Sequence, residues 1–330
     1  MTAPMDVTGG DAQATPEAVV DTSDAKAIQG RSLGQIAWMR LKRDKVALAG
    51  GLIVIFLILV AVFAPVIAGA FGQDPTQFNS DLIDSSTMAP KTGTGISADH
   101  LFGIEPVNGR DIFSRVVYGA RISLLIAFLA TLLSVVIGTL LGVTAGYFGG
   151  LVDSIISKAM DVFLAFPILV FAIALAGIVP DSAFGLTGDT LRVSLLVFII
   201  GFFNWPYIGR IIRGQTLSLR EREFVDAARS LGARGPYIIF RELLPNLVAP
   251  ILVYATLLIP TNVLFEAALS FLGVGVRPPT PTWGGMLSDA VRFYTIPHFM
   301  FFPGMAIFIT VLAFNLFGDG LRDALDPKAR

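Results

Sequence analysis

The sequence predicts an all-α polytopic membrane protein with six transmembrane helices. Three observations carry this. The chain of 330 residues is 54% hydrophobic and only 15% charged, with a mean hydropathy of +0.72. Soluble domains carry roughly 25% charged residues, so there is too little charge to coat a globule. The apolar residues fall into six long blocks, of the length read as membrane-crossing helices. The basic residues gather in alternate connecting segments, as the positive-inside rule requires.

Residues 1–45 open the chain. Residues 1–30 are polar and rich in Ala, Asp and Thr, with no apolar core of a signal peptide, and disorder is expected there. A basic stretch of Arg40, Lys42, Arg43 and Lys45 follows. The first span is expected at 46–70. It is uncharged from Val46 to Gln73, and no small-residue cleavage site precedes a soluble domain, so it is read as retained. Residues 71–116 form an extracytoplasmic loop. A five-helix core follows at 117–320, with further spans near Ile122–Gly146, Val162–Val179, Val193–Ile212, Leu247–Leu272 and Met300–Phe317. Inside hydrocarbon the backbone must satisfy its own hydrogen bonds, which makes each of these a helix. Tyr147, Phe148, Gly149 and Gly150 are expected to turn out of the membrane. Residues 321–330 form a C-terminal tail.

With the N-terminus inside, 17 of the 24 basic residues lie in cytoplasmic segments and 7 in outer ones. Both termini are therefore expected in the cytoplasm of a cell whose plasma membrane holds the chain. Arg110, Arg115 and Arg121 fall on the outer side, where an interfacial helix would let them snorkel.

One connecting segment, 213–246, holds six of the 24 basic residues. Within it Phe224, Ala227, Ala228 and Leu231 are spaced i, i+3, i+4, i+7, one face of a helix. Gly232 suits the position after a helix end, where positive φ is common. Pro236 suits the start of a new helix. A short amphipathic helix below the bilayer results, with two alanines at the centre of its apolar face. Small side chains admit close approach of another surface, and the flanking charges can set register. The bland alternative is a helix lying on the lipid surface.

Asp226-Ala-Ala, then Gly232, then Leu244-Pro245 resembles the EAA loop of ATP-binding-cassette importer permeases. Asp226 stands where Glu is usual and Glu242 where an apolar residue is usual. The likeness extends along the chain. Residues 38–45 (Trp-Met-Arg-Leu-Lys-Arg-Asp-Lys), the run 109–124 beginning Gly-Arg-Asp, the run 269–284 ending Pro-Thr-Trp-Gly and the run 315–327 ending Asp-Pro are similar to the permease C subunits of the dipeptide/oligopeptide family. Residues 103–109 depart from it, since the family usually has Gly-Thr-Asp before Gly-Arg-Asp.

The resemblance implies a type I importer permease fold, half of a translocation pathway for di- or oligopeptides, and a set of partners. These are a homologous second permease subunit, two ATPase subunits and an extracytoplasmic peptide-binding protein or lipoprotein, all at a lipid bilayer. It implies an ATPase-coupling set of Glu223, Phe224, Asp226, Ala227, Ala228, Leu231, Gly232 and Ala233. ATP and Mg would bind the partner ATPases, with no cofactor in this chain. The sequence agrees: it holds no Gly-x-x-x-x-Gly-Lys-Ser/Thr loop, no Gly-x-Ser-x-Gly elbow and no His-Glu-x-x-His. It has no cysteine, hence no disulfide and no thiolate metal site. His100 and His298 are isolated, so neither a metal site nor a catalytic residue is expected. A net charge of −1 gives no attraction to nucleic acid.

Further residues draw notice. Glu266 lies inside an apolar block, and an intramembrane carboxylate faces a cavity or a partner. With Asn262 it is a candidate for the substrate pathway, against a structural hydrogen bond. Gly138, Gly142, Gly146 and Gly150 recur every four residues, a pattern for close helix contact, read as static packing before a sliding surface. Trp283 among Pro278, Pro279 and Pro281 suggests a rigid outer segment or an interfacial anchor. The rival function is a secondary transporter or channel driven by an ion gradient. It would need several intramembrane Asp, Glu or His residues for ion or proton coupling, and only Glu266 and His298 come close. A membrane-embedded hydrolase is a weaker alternative, opposed by the missing catalytic constellation.

Overall fold

The structure, a computed structural model, describes residues 33–71 and 73–325. The expectations for residues 1–32 and for the last five residues lie outside the described residues. Helix α1 (Leu33–Leu41) precedes α2 (Lys45–Val62). Asp44 fixes the start of α2, its carboxylate accepting from the amides of Val46 and Ala47 at 2.9 and 3.0 Å. The first expected span is two helices, because α3 (Ala64–Phe71) restarts after Phe63. Pro65 sits in its first turn, where a missing amide hydrogen does no harm.

Residues 73–111 fold back on themselves. The amide of Asn79 bonds Asn108 O, and the amide of Val107 bonds Met88 O. Asp111 then caps α4 (Ile112–Phe148) by accepting from the Ser114 amide at 2.7 Å. Helix α4 starts ten residues before the expected span, because charge had hidden its first turns. Arg110 and Arg115 do not snorkel; they are 4% and 2% exposed. Both are ion-paired to Glu105, itself 2% exposed. Only Arg121 is exposed. Trp283 is likewise no lipid anchor, being 1% exposed with its indole Nε1 donating to Val116 O at 2.9 Å.

The expected third span is also broken. Helix α5 (Gly150–Ala165) meets α6 (Ile168–Ile178) at a bend of 79°. Phe166 is extended there, as a residue before proline prefers. A two-residue hairpin, β1 (Ser182–Ala183) and β2 (Leu186–Thr187), leads into α7 (Gly188–Leu219).

Helices α4 and α7 form the most intimate pair in the fold. A Cβ on Gly138, Gly142 or Gly146 would lie 2.6–2.7 Å from Trp205 O, Gly209 O or Thr216 Cβ respectively. Ser134 Oγ donates to Gly201 O at 2.8 Å. The contacts advance together along both chains, so α4 and α7 run parallel. Residues 149–187 must therefore return across the whole bundle. Five helices are long and apolar enough to span a membrane, and the bent pair α5–α6, taken as one span, makes six.

The remaining elements are α8 (Glu223–Ser230), α9 (Gly235–Tyr237), a π-helical turn at Ile238–Leu243, α10 (Leu244–Phe271), α11 (Trp283–Val291) and α12 (Pro297–Leu325). From α9 to the end of α10 the chain is one helix of 37 residues, Gly235–Phe271. The non-helical connection below the bundle is thus far shorter than 213–246. Helix α12 runs antiparallel to α2: Gly50 approaches Ala313 O and Phe317 N, while Gly320 approaches Ala47. Val54, Leu57, Leu124, Ala127, Val263 and Phe314 join α2, α4, α10 and α12 in one core. These directions place the ends of α4, α7 and α12 and the starts of α2 and α10 together with α8. The folded segment 73–111, the hairpin and α11 lie at the opposite end.

Candidate functional site

Helix α8 hangs between α7 and α9, and local chemistry fixes both its ends. Glu223 and Asp226 occupy its first turn and Arg229 its last, each placed as the helix dipole favours. Arg229 Nη1 pairs with Asp226 Oδ1 at 3.1 Å. At the other end, the amides of Gly232 and Ala233 donate to Arg229 O at 2.9 Å and Ala228 O at 3.0 Å. That is a Schellman termination, and Gly232 has the φ of +82° it needs.

The helix has two unlike sides. Val225 is completely buried in a cluster with Ile208, Ile212, Ile238, Leu243 and Leu247. It pins α8 to the lower part of α7 and the start of α10. The other side carries Phe224, 36% exposed, and Leu231, 88% exposed. Ala227 and Gly232 are exposed there as well, with Ala228 and Ala233 half-buried. These six residues line a groove of about 650 Å³, rimmed by Arg234, Tyr237 and Glu242. Glu223 and Asp226 flank the groove without lining it.

The spacing in the sequence therefore placed the open face correctly, but it named no anchor. Val225 is the residue it missed; as the single aliphatic on the far side of α8, it carried a faint signal. Tyr147 was expected only to turn out of the membrane, yet its ring lies 6.0 Å from the Arg229 guanidinium. Arg220, at the end of α7, was also unmarked. Its Nη1 donates to Gly146 O at 3.0 Å, joining the base of α8 to the end of α4. Asp153 forms a bidentate pair with Arg213, and Asp161 pairs with Arg210. Both acids thus tie α5 to α7.

Asn262 and Glu266 lie within α10. Each has no exposed surface, which fits the structural hydrogen bond weighed against a pathway role. Asn262 joins three helices. Its Nδ2 donates to Thr131 Oγ1 on α4, and its Oδ1 accepts from Asn204 Nδ2 on α7, both at 2.8 Å. Glu266 Oε1 accepts from Ser270 Oγ at 2.7 Å. In hydrocarbon such groups find partners inside the bundle, and short polar side chains supply these for Asn262 and for Oε1 of Glu266, while Glu266 Oε2 is buried without one.

The arrangement offers a solvent-facing apolar socket on a rigid mount, with charges at its rim and no nucleophile in it. Comparison with known proteins places it. Residues 138–330 match the family described as binding-protein-dependent transport system inner membrane component. Residues 32–90 match the N-terminal transmembrane domain of oligopeptide transport permease C. The chain is 42% identical to the dipeptide transport system permease protein DppC of Alkalihalophilus pseudofirmus, over 89% of this chain and 90% of that protein. It is also 42% identical to the glutathione transport system permease protein GsiD of Escherichia coli, with the same coverage. Among solved structures, an inward-facing MetNI methionine ABC transporter chain shares the fold with a TM-score of 0.52. It is 19% identical and covers 65% of this chain and 98% of its own. The apolar crossings, the socketed helix beneath them and these relatives lead to one conclusion: the chain belongs to the binding-protein-dependent inner-membrane transport family, as a permease subunit of an ATP-binding-cassette importer rather than an enzyme.

Proposed function

We propose that this permease carries di- or oligopeptides and that α8 is the element through which ATP hydrolysed elsewhere drives it. The chain forms half of the pathway and a homologous second permease the other half. Two ATPase subunits bind ATP and Mg, and an extracytoplasmic binding protein delivers cargo. The peptide assignment rests on relatives named for dipeptide and glutathione transport. The division into tail, first span, outer loop, five-helix core and coupling segment follows from the same reading, as does the placement of both termini in the cytoplasm.

The observation that carries the coupling role is the groove itself. Phe224, Ala227, Ala228, Leu231, Gly232 and Ala233 leave an apolar surface in water at the end of the bundle. Such a surface costs about 25 cal/mol per Å² until a partner covers it. Glu223 and Asp226 at its edge set register. A push on α8 passes through Val225 into the lower part of α7 and the start of α10, and through Arg220 into α4. ATP then shifts the population between inward- and outward-facing bundles by binding one state better than the other.

Ala228→Glu tests this. A carboxylate on the groove wall should abolish co-purification of the ATPase subunits and at least tenfold of substrate-stimulated ATPase activity, with the permease still inserted. Undiminished co-purification removes Ala228 from the contact.

A further inference from the structure

The end of the bundle remote from α8 holds a second polar constellation. The 28 residues of α10 separate the two by roughly 40 Å at 1.5 Å per residue. Here a cavity of about 200 Å³ opens between α11 and the loop that precedes it, and Arg115, Arg277, Arg292 and Asp289 are its charged lining. Ser270, Thr282 and Ser288 add hydroxyls.

Arg115 is the unusual member. A guanidinium 2% exposed is expected to be fully engaged, and this one is not. Its Nη1 donates to Pro75 O at 3.2 Å and Pro279 O at 3.3 Å. Its Nε faces Glu105 Oε2 at 3.2 Å without forming a hydrogen bond. Its Nη2 bonds nothing among the described residues. Glu105 is meanwhile shared with Arg110. Arg277 is paired with Asp181, which Arg192 shares. Arg292 is exposed and has no hydrogen bond or ion pair from its side chain among the described residues; Asp289 has none either, but lies near enough to Arg115 to attract it. Thr280, also in the lining, donates to Asp189, so five guanidiniums answer to four carboxylates around this cavity, and the first turn of α11 adds its positive end.

The neighbouring cavity completes the shape. It measures about 620 Å³, is walled by Phe78, Phe293 and Phe299 with the paired Glu105 and Arg110 at one side, and shares Pro278, Asp289 and Arg292 with the smaller one. We propose that the pair of cavities is a carboxylate-recognition site: Arg115 and Arg292 hold the carboxylate in the small cavity, and the aromatic walls of the large one take the apolar group beside it. Asp289 opposes the anion and favours a ligand that also offers a hydrogen-bond donor, as an amide N–H next to a carboxylate does. A C-terminal residue with an apolar side chain has this chemistry, whether it ends a free peptide or is mimicked by an acidic side chain on a docking protein.

The probes are N-acetylphenylalanine and its amide, which differ only in the charge of the carboxyl group. Binding is measured by saturation-transfer NMR to the full chain in phosphatidylcholine nanodiscs, so no nucleotide or coupling step enters. The acid should bind at least tenfold better than the amide. Arg292→Gln should bring the acid down to the amide's level, and Arg292→Lys should keep part of the difference. This exposed side chain supports no packing, so these variants retain the fold. Equal binding of acid and amide, or an acid affinity unchanged by Arg292→Gln, overturns the proposal. The assembled importer separates the two sources. If the carboxylate belongs to the binding protein, the free acid competes with its docking and Arg292→Gln weakens docking. If it belongs to a free peptide, docking is unchanged, while Arg292→Gln raises the KM of peptides with free C-termini and spares amidated ones.

Discussion

At Gly232 the demand on one residue can be isolated. A Cβ built there meets nothing within 4 Å, so sterics against neighbours play no part. The φ of +82° is the whole constraint. Valine in this region costs roughly 1–2 kcal/mol and asparagine much less. Gly232→Val should therefore unwind the end of α8 and depress stimulated ATPase activity several-fold, whereas Gly232→Asn should keep most of it. ATPase assays on the reconstituted complex decide it, and equal activity of the two variants removes the termination from the mechanism. Gly232 was legible because a helix stop has a chemical signature. Val225 was not, since burial depends on what α7 and α10 present to it. Asn262 and Glu266 stood between two readings for a related reason. Sequence shows that a polar group lies at membrane depth, but not whether a cavity or three neighbouring helices receive it.

Among the elements, the seam between α4 and α7 holds the tightest tolerance. Gly142 faces Gly209 O, at a distance that leaves no room for a methyl group. Gly142→Ala should force the helices apart and cost about 1–3 kcal/mol, seen as a lower unfolding temperature in detergent. Gly142→Leu should prevent stable accumulation. Gly150, the fourth glycine of the series, meets nothing within 4 Å at its φ of +53°; it serves the turn between α4 and α5. A leucine tolerated at 142 without loss of stability would contradict the seam. The four-residue spacing announced close packing, and packing within the subunit is what three of the four glycines do. The partner helix could not be read, because small residues specify proximity without specifying to what.

Over the whole molecule, the parallel course of α4 and α7 requires a return crossing, which the 79° bend at Phe166–Pro167 disguises. Six crossings leave α1 and the end of α12 on one side, with α8. The absence of cysteine makes this directly measurable. A membrane-impermeant maleimide should label Ser86→Cys in intact cells and Ser230→Cys only after permeabilisation, both positions being exposed. Labelling of both in intact cells would place α8 on the outside and end its role in coupling to ATP.

The sequence by itself determined the solvent, the number of crossings, the family and the open face of α8. The family rests on the likeness of long motifs to known permeases, and the others are written in local composition or in a spacing that one helix reads along its own axis. Tertiary structure alone decided the anchor beneath that face, the breaks in the first and third spans, the burial of Arg110 and Arg115, and the burial of Asn262 and Glu266 among the helices. Those depend on which surfaces meet across helices far apart in the chain. A residue's exposure and its unpaired charge are properties of that meeting and not of the residue.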